Sequence, residues 1–224
     1  MTATGRAGQG LFVVLEGGDG AGKTTQVELL TDWLQQSGRE VVRTFEPGDS
    51  VLGRQIRGLL LDPGWGEVDP RAEALLYAAD KAQHLFAVVR PALQRGAVVV
   101  CDRYLDSMLA YQGAGRVLSR DEVAAVARWA TDGLRPDLTV LLDVDPHASV
   151  HTKDEKDRLE GAGVDFHDRV RQEFLDLAAQ DPDRYLVLPA RAPRAEIAEA
   201  IRRRVAALLP DTRSTPQPGD PPPT

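Results

Sequence analysis

A single cysteine, Cys101, stands in 224 residues, so no disulfide can form within the chain and a reducing cytoplasm suits it. Cys101 lies between Val100 and Asp102 at the end of an apolar run. There it reads as a small buried hydrophobe, with no activating partner legible nearby. Histidine is nearly as scarce. Of His84, His147, His151 and His167, only His147 and His151 are four apart, beside Pro146, and that setting does not suit a metal site. We therefore expect no structural metal. Basic residues are also short, 27 Lys and Arg against 34 Asp and Glu, for a net charge of −7. That balance argues against a partner such as a nucleic-acid polymer or an anionic membrane surface. No apolar run reaches membrane-spanning length, and "MTATGRAGQG" has no signal-like apolar core. Residues 1–9 read as a flexible start, and residues 210–224, with six of the fifteen prolines, as a disordered tail.

What is present is an ordinary globular composition, 42% hydrophobic and 27% charged. Short apolar runs alternate with helical patterns. Residues 11–15, 40–44, 97–100, 138–144 and 185–188 read as strands, each bounded by glycine, proline or a charged turn. Helices are expected over 23–37, 70–94 (broken or kinked near Pro91), 120–133, 165–180 and 194–209. Alternation of this kind makes a parallel sheet covered by helices on both faces. One domain over 10–209 is expected, a three-layer α/β/α sandwich around five parallel strands.

"GGDGAGKTT", residues 17–25, follows the first strand and opens the first helix. Gly17, Gly22, Lys23 and Thr24 fit the phosphate-binding pattern G-x-x-x-x-G-K-[ST]. Glycines let successive amides turn inward around phosphate oxygens, and the helix start adds partial positive charge. Gly17, Gly18, Asp19, Gly20, Ala21, Gly22, Lys23, Thr24 and Thr25 are the ATP-binding candidates. Lys23 reaches the β/γ-phosphates, and Thr24 offers a hydroxyl to Mg²⁺. ATPases, GTPases and kinases share this loop, so it does not name the phosphate acceptor.

A second polar cluster, "CDRYLDSMLAYQGAGR" (101–116), leaves the 97–100 strand. In open parallel sheets ligands collect at the carboxyl ends of strands, which delivers Asp102 and Arg103 to the rim holding the phosphate loop. Asp102 suits Mg²⁺, and Arg103 suits a phosphate. Ser107 and Tyr111 are four apart and share a helical face. Beside a phosphate loop, these residues read as a site for a second polar substrate.

These segments, together with "EPG", "IRGLLLD", "LLYAADKAQH", "PDLTVLLDVDP" and "DRLEGAGVDFHDRVRQEFLDLA", resemble the bacterial thymidylate kinase family, in order over roughly residues 10–205. The resemblance implies a P-loop NTPase fold, transfer from ATP with Mg²⁺ to dTMP giving dTDP, and a homodimer. It implies that Asp19 meets the sugar 3′-hydroxyl, that Arg57 and Arg103 hold the acceptor phosphate, and that Glu46 lies near sugar and phosphate. Tyr77 takes the position that stacks on thymine. Ser107 and Gln112 line the base and sugar pocket, and Tyr111 crowds the 2′ position. Arg54 has no counterpart and fits a solvated helical face. Asp143 and Asp145 read as loop or helix-capping residues, since Asp102 already fills the metal-proximal position.

The resemblance also implies a lid, about residues 150–163, whose cations aid transfer. Lys153, Lys156 and Arg158 are its cations, and Arg158 is the catalytic candidate beside Lys23 and Arg103. Several positions depart from the family pattern. Phe45 replaces an arginine, Asp49 a glycine and Lys81 a base-reading arginine, and Met108 stands where small or polar residues are common. Two rival expectations follow: a kinase for another nucleoside monophosphate, and a nucleotide-binding protein with reduced turnover.

Overall fold

The computed structural model describes residues 10–114, 118–148 and 163–209. Residues 1–9 and 210–224, and residues 150–162 of the expected lid with Lys153, Lys156 and Arg158, lie outside the described residues. Five strands form one parallel sheet: β1 (Leu11–Gly17), β2 (Val41–Phe45), β3 (Val98–Asp102), β4 (Leu138–Asp143) and β5 (Tyr185–Pro189). Their order is β2-β3-β1-β4-β5, with every pair parallel. The central strands are apolar apart from Glu16, Thr139 and the terminal Asp102 and Asp143, because helices cover both of their faces.

Alternation along β1 separates the two cores. Leu11, Val13 and Leu15 pack with Val98, Val100, Val140 and Leu142 under α1 (Lys23–Gln36) and α8 (Arg194–Ala206), which contribute Leu30, Leu34, Ile197 and Ile201. On the other face, Phe12 and Val14 pack with Val99 and Cys101 against Leu85, Val89 and Tyr104. α3 (Pro70–His84) and α6 (Arg120–Thr131) form a further cluster with Met108, while α7 (Val164–Gln180) covers Leu141 and Tyr111.

The strand order positions the site. β2 and β3 lie on one side of β1, with β3 its direct neighbour, and β4 and β5 lie on the other, so the order in which strands are added reverses at β1. Leu15 pairs with Asp102, which sets the segment after β3 beside the loop after β1, at the switch point where such sheets bind ligands.

Some element boundaries differ from expectation. β3 runs to Asp102 and so includes Cys101. The irregularity in the 70–94 region is a π-helical turn over Leu85–Val89, ahead of Pro91. Proline has no N–H to return to the preceding turn, which widens there, and Pro91 itself sits in the first turn of α4 (Arg90–Gln94). α2 (Val51–Leu61) is an additional helix, started by the Ser50 hydroxyl accepting from the Gly53 amide at 2.8 Å. After α5 (Leu105–Met108), residues Leu109–Ala114 form a second π-helical stretch.

Candidate active site

The phosphate loop begins where β1 ends. Gly17 has φ +136°, and a Cβ there would lie 2.4 Å from the Leu142 carbonyl oxygen of β4, so no larger residue fits. Gly18, Asp19, Gly20, Ala21 and Gly22 then turn the chain into α1. Gly22 caps α1 with no side-chain hydrogen bond, and the first turn contains no acid. The helix therefore presents open amides and positive potential, as an anion site requires. Lys23 is the first helical residue; its Nζ donates to the carbonyls of Gly17 (3.0 Å) and Gly18 (2.8 Å). Burial, helped by the Arg103 charge, lowers its pKa to about 8. The Thr24 hydroxyl donates to Asp102 Oδ2 at 2.9 Å, so both expected metal-site residues meet across the β1–β3 boundary, and Thr25 follows in the same turn of α1. A hydroxyl and a carboxylate, with phosphate oxygens and water completing the shell, suit the hard cation Mg²⁺.

Arg103 is the hinge of the second half. Its backbone has φ 67°, a left-handed conformation that costs a side-chain-bearing residue about 1–2 kcal/mol. Its guanidinium donates through Nη1 to the Gly17 carbonyl and to the Ser107 hydroxyl oxygen, both at 3.1 Å, and through Nη2 to Asp19 Oδ1. Asp19 Oδ2 accepts from the Tyr111 hydroxyl at 3.0 Å. Burial opposes ionisation of Asp19, but Arg103 and Lys23 outweigh it and hold the carboxyl below its ordinary range. Donor-loop and acceptor-segment residues thus form one charge network.

A third group closes the far wall. Glu46 is buried and pairs with Lys81 Nζ, while its Oε1 lies 2.7 Å from His84 Nδ1. Burial works against its ionisation, yet Lys81 and His84 keep its pKa lowered. His84 Nε2 is 2.6 Å from the Thr44 hydroxyl, which donates to Asp49 Oδ2 at 2.6 Å. Lys81 therefore lines the cleft with its ammonium turned to Glu46, 4.8 Å from the Tyr104 ring centre. Arg57 donates from Nη1 to the Pro47 carbonyl at 2.7 Å, and its guanidinium lies 5.7 Å from the Phe45 ring centre. A Cβ on Gly48, at φ +118°, would come within 2.7 Å of Arg57 Cδ, so glycine makes room for the arginine stem.

One cleft of about 310 Å³ is bounded by Asp19, Lys23, Thr24, Glu46, Arg57, Tyr77, Lys81, Asp102, Arg103, Ser107, Tyr111 and Gln112. Every expected metal- and substrate-binding residue borders it. Met108 borders it too, while Gln112 Nε2 donates to the buried Glu73 carboxylate at 3.2 Å. Asp143 plays neither of its expected parts: it ends β4 and accepts Arg171 Nε and Nη2 at 2.7 and 2.9 Å, tying α7 to the sheet. Asp145 is a turn residue, accepting the His147 amide at 2.9 Å.

Sequence reading missed Glu16, Asp80, His84 and Asp106. All four are buried, and a titratable side chain at an apolar strand or on an amphipathic core face was the available signal. Arg191 was missed as well; its Nη1 is 3.5 Å from the Gly20 carbonyl oxygen, at the rim of the phosphate loop.

Comparison with known proteins agrees with this geometry. The thymidylate kinase family profile matches residues 15–201. A thymidylate kinase of Cutibacterium acnes is 64% identical over 200 residues, covering 89% of this chain and 98% of that protein. One from Clavibacter michiganensis subsp. michiganensis is 57% identical over 204 residues, covering 89% and 96%. The crystal structure of thymidylate kinase from Ehrlichia chaffeensis superposes with a TM-score of 0.71 at 29% identity, covering 88% of this chain and 99% of that one. A phosphate loop whose lysine, threonine and aspartate share one cleft with Arg57, Arg103 and Tyr77 is thus found in a chain that belongs to the thymidylate kinase family.

Proposed function

We propose that this protein transfers the γ-phosphoryl group of ATP to the phosphate of dTMP, giving ADP and dTDP. The observation that carries the reading is the shared cleft, with Lys23 and Thr24 on one side and Arg57, Arg103 and Tyr77 on the other. Residues 17–25 hold the ATP phosphates. Arg57 and Arg103 hold the acceptor phosphate, Tyr77 faces the base, and Asp19, Glu46, Lys81, Ser107, Tyr111 and Gln112 shape the rest of the dTMP site.

Transfer asks the protein for alignment and charge neutralisation. The acceptor phosphate is already anionic, so no strong general base is needed. Lys23 offsets charge on the transferred group, and Arg103 faces the other anion from within hydrogen-bond reach of Asp19. Thr24 and Asp102 would hold Mg²⁺, which supplies charge compensation at the phosphates when bound. Arg158 completes the catalytic cations in this reading.

The same reading includes a homodimer in the cytoplasm. Large apolar side chains stand exposed on α2 (Val51, Leu52), α3 (Leu75) and α6 (Trp129), where an isolated monomer gains nothing from them. Light scattering after gel filtration tests the dimer. Among the described residues no helix is long and apolar enough to cross a membrane.

The decisive experiment measures ADP formation with dTMP, dUMP, dCMP, dGMP, UMP and CMP. dTMP should give the highest kcat/KM; preference for any other acceptor refutes the assignment. Arg103→Ala should raise the dTMP KM by at least about tenfold, the scale of a lost charge-assisted contact.

A further inference from the structure

Glu16 is an acid in a strand whose other residues are apolar apart from the terminal Gly17. It is 1% exposed, and burial pushes its carboxyl pKa up against the opposing pull of Ser107, Arg103 and two amides. A carboxylate in such a place is tolerated only if it is engaged, and its partners are specific. Oε1 accepts the amide N–H groups of Tyr104 (2.8 Å) and Ser107 (3.2 Å), and Oε2 accepts the Ser107 hydroxyl at 2.5 Å. All three donors lie in the segment after β3.

The residues beside Glu16 grip the same segment. The Leu15 carbonyl accepts the Arg103 amide at 2.9 Å, and the Gly17 carbonyl accepts Arg103 Nη1 at 3.1 Å. Three successive residues of β1 thus hold residues 103–107. Arg103 is left-handed, with φ 67°, and the next amide along the chain, that of Tyr104, is the one Glu16 takes. Ser107 has one hydroxyl proton. Because it donates to Glu16, its oxygen is free to accept from Arg103 Nη1 at 3.1 Å.

We infer that Glu16 is a positioning residue for acceptor-phosphate binding: its carboxylate holds the left-handed Arg103 backbone and orients the Ser107 hydroxyl to receive the Arg103 guanidinium. Glu16 does not border the cleft, so it acts through these two residues. The inference rests on Arg103 gripping the acceptor phosphate.

The test is steady-state kinetics of the full-length Glu16→Gln variant. Glutamine keeps an oxygen for the two amides but places an NH₂ group where the Ser107 hydroxyl must donate. The dTMP KM should rise about tenfold, the effect of one misdirected buried hydrogen bond. The ATP KM and the inhibition constant of thymidine, which lacks the phosphate, should stay within about twofold. In a Ser107→Ala background, the same substitution should raise the dTMP KM by less than about threefold, since the two act as a unit. An unchanged dTMP KM, equal rises for ATP and dTMP, an equal loss of thymidine affinity, or additivity with Ser107→Ala each overturns the inference. If Glu16→Gln does not fold, Ser107→Ala and Ser107→Thr carry the test. Alanine should lower the preference for the phosphate, read as the thymidine inhibition constant divided by the dTMP KM, about tenfold, and threonine, which keeps the donor, should lower that ratio several-fold less. Equal effects of the two overturn it. Arg103→Ala is the control: if it leaves the dTMP KM unchanged, the reading of Arg103 fails, whereas a silent Glu16→Gln beside an impaired Arg103→Ala defeats the role of Glu16 alone.

Discussion

Replacing Asp106 by asparagine should flatten the dependence of stability on pH. Asp106 lies in the first turn of α5, is 7% exposed, and accepts the Tyr185 hydroxyl at 2.5 Å through Oδ2. Burial, reinforced by the negative charge of Glu16, raises its carboxyl pKa from 3.8 to about 7. The folded protein therefore keeps a proton on this group where the unfolded chain has lost it. Stability from this source is fully present below about pH 4 and falls as pH rises, reaching a plateau above about pH 7. A shift from 3.8 to about 7 is roughly three pH units. At about 1.4 kcal/mol per unit, the loss is on the order of 4 kcal/mol. Asparagine mimics the protonated form: its oxygen can accept from Tyr185 while its NH₂ takes the place of the carboxyl O–H. The assay is urea unfolding of both proteins at intervals from pH 4 to 9, with linear extrapolation at each pH. The two should be similar near pH 4, and the variant should become progressively the more stable up to about pH 7. Because the comparison subtracts every other titrating group, parallel curves across the range would refute the reasoning.

Other expectations follow from packing and burial. Gly48→Ala should raise the dTMP KM several-fold or more and leave the ATP KM near its original value, because the added Cβ would lie 2.7 Å from Arg57 Cδ; equal effects on both substrates would contradict this. Cys101 is fully buried, and its thiol pKa is pushed well above the usual value by burial and by Glu46. An aromatic disulfide reagent should consequently label it only at the rate of unfolding, and prompt labelling of the native protein would contradict its placement. Leu30→Ala, at a position 2% exposed between α1 and the sheet, should cost about 2–5 kcal/mol in urea unfolding. A loss below about 1 kcal/mol would mean that this core tolerates the cavity.

Residues whose surroundings are written nearby in the chain were legible. Leu11–Leu15 is apolar without interruption and Leu138–Leu142 is apolar but for Thr139, and such runs form strands covered on both faces. Gly17, Gly22, Lys23 and Thr24 announce an anion-binding turn because its geometry is closed within a single loop. The polar handles from Asp102 to Gln112 were legible as one cluster for the same reason, lying within one strand exit and the helical segment after it, and they border one cleft.

α2 was harder to read because its apolar residues lie on both faces, with only Ile56 and Leu60 of them buried. Val51, Leu52 and Leu59 are exposed, while Gly53 is buried against the Asp80 carboxylate. Lys81 could be placed at the cleft from its position, but its commitment to Glu46, 35 residues away, could not. Glu16, just past the expected 11–15 strand, was not singled out because its partners lie about 90 residues further on.

The sequence by itself determined a parallel α/β chain with a phosphate loop and the side chains suited to a nucleotide acceptor. Periodicity, glycine and charge act over a few residues, and that range was enough. Only the tertiary structure decided that β3 lies beside β1, and hence that Thr24 meets Asp102 and Glu16 meets Ser107. Those pairings depend on strand order and register. A buried charge takes its meaning from whatever the neighbouring strand brings within hydrogen-bond reach.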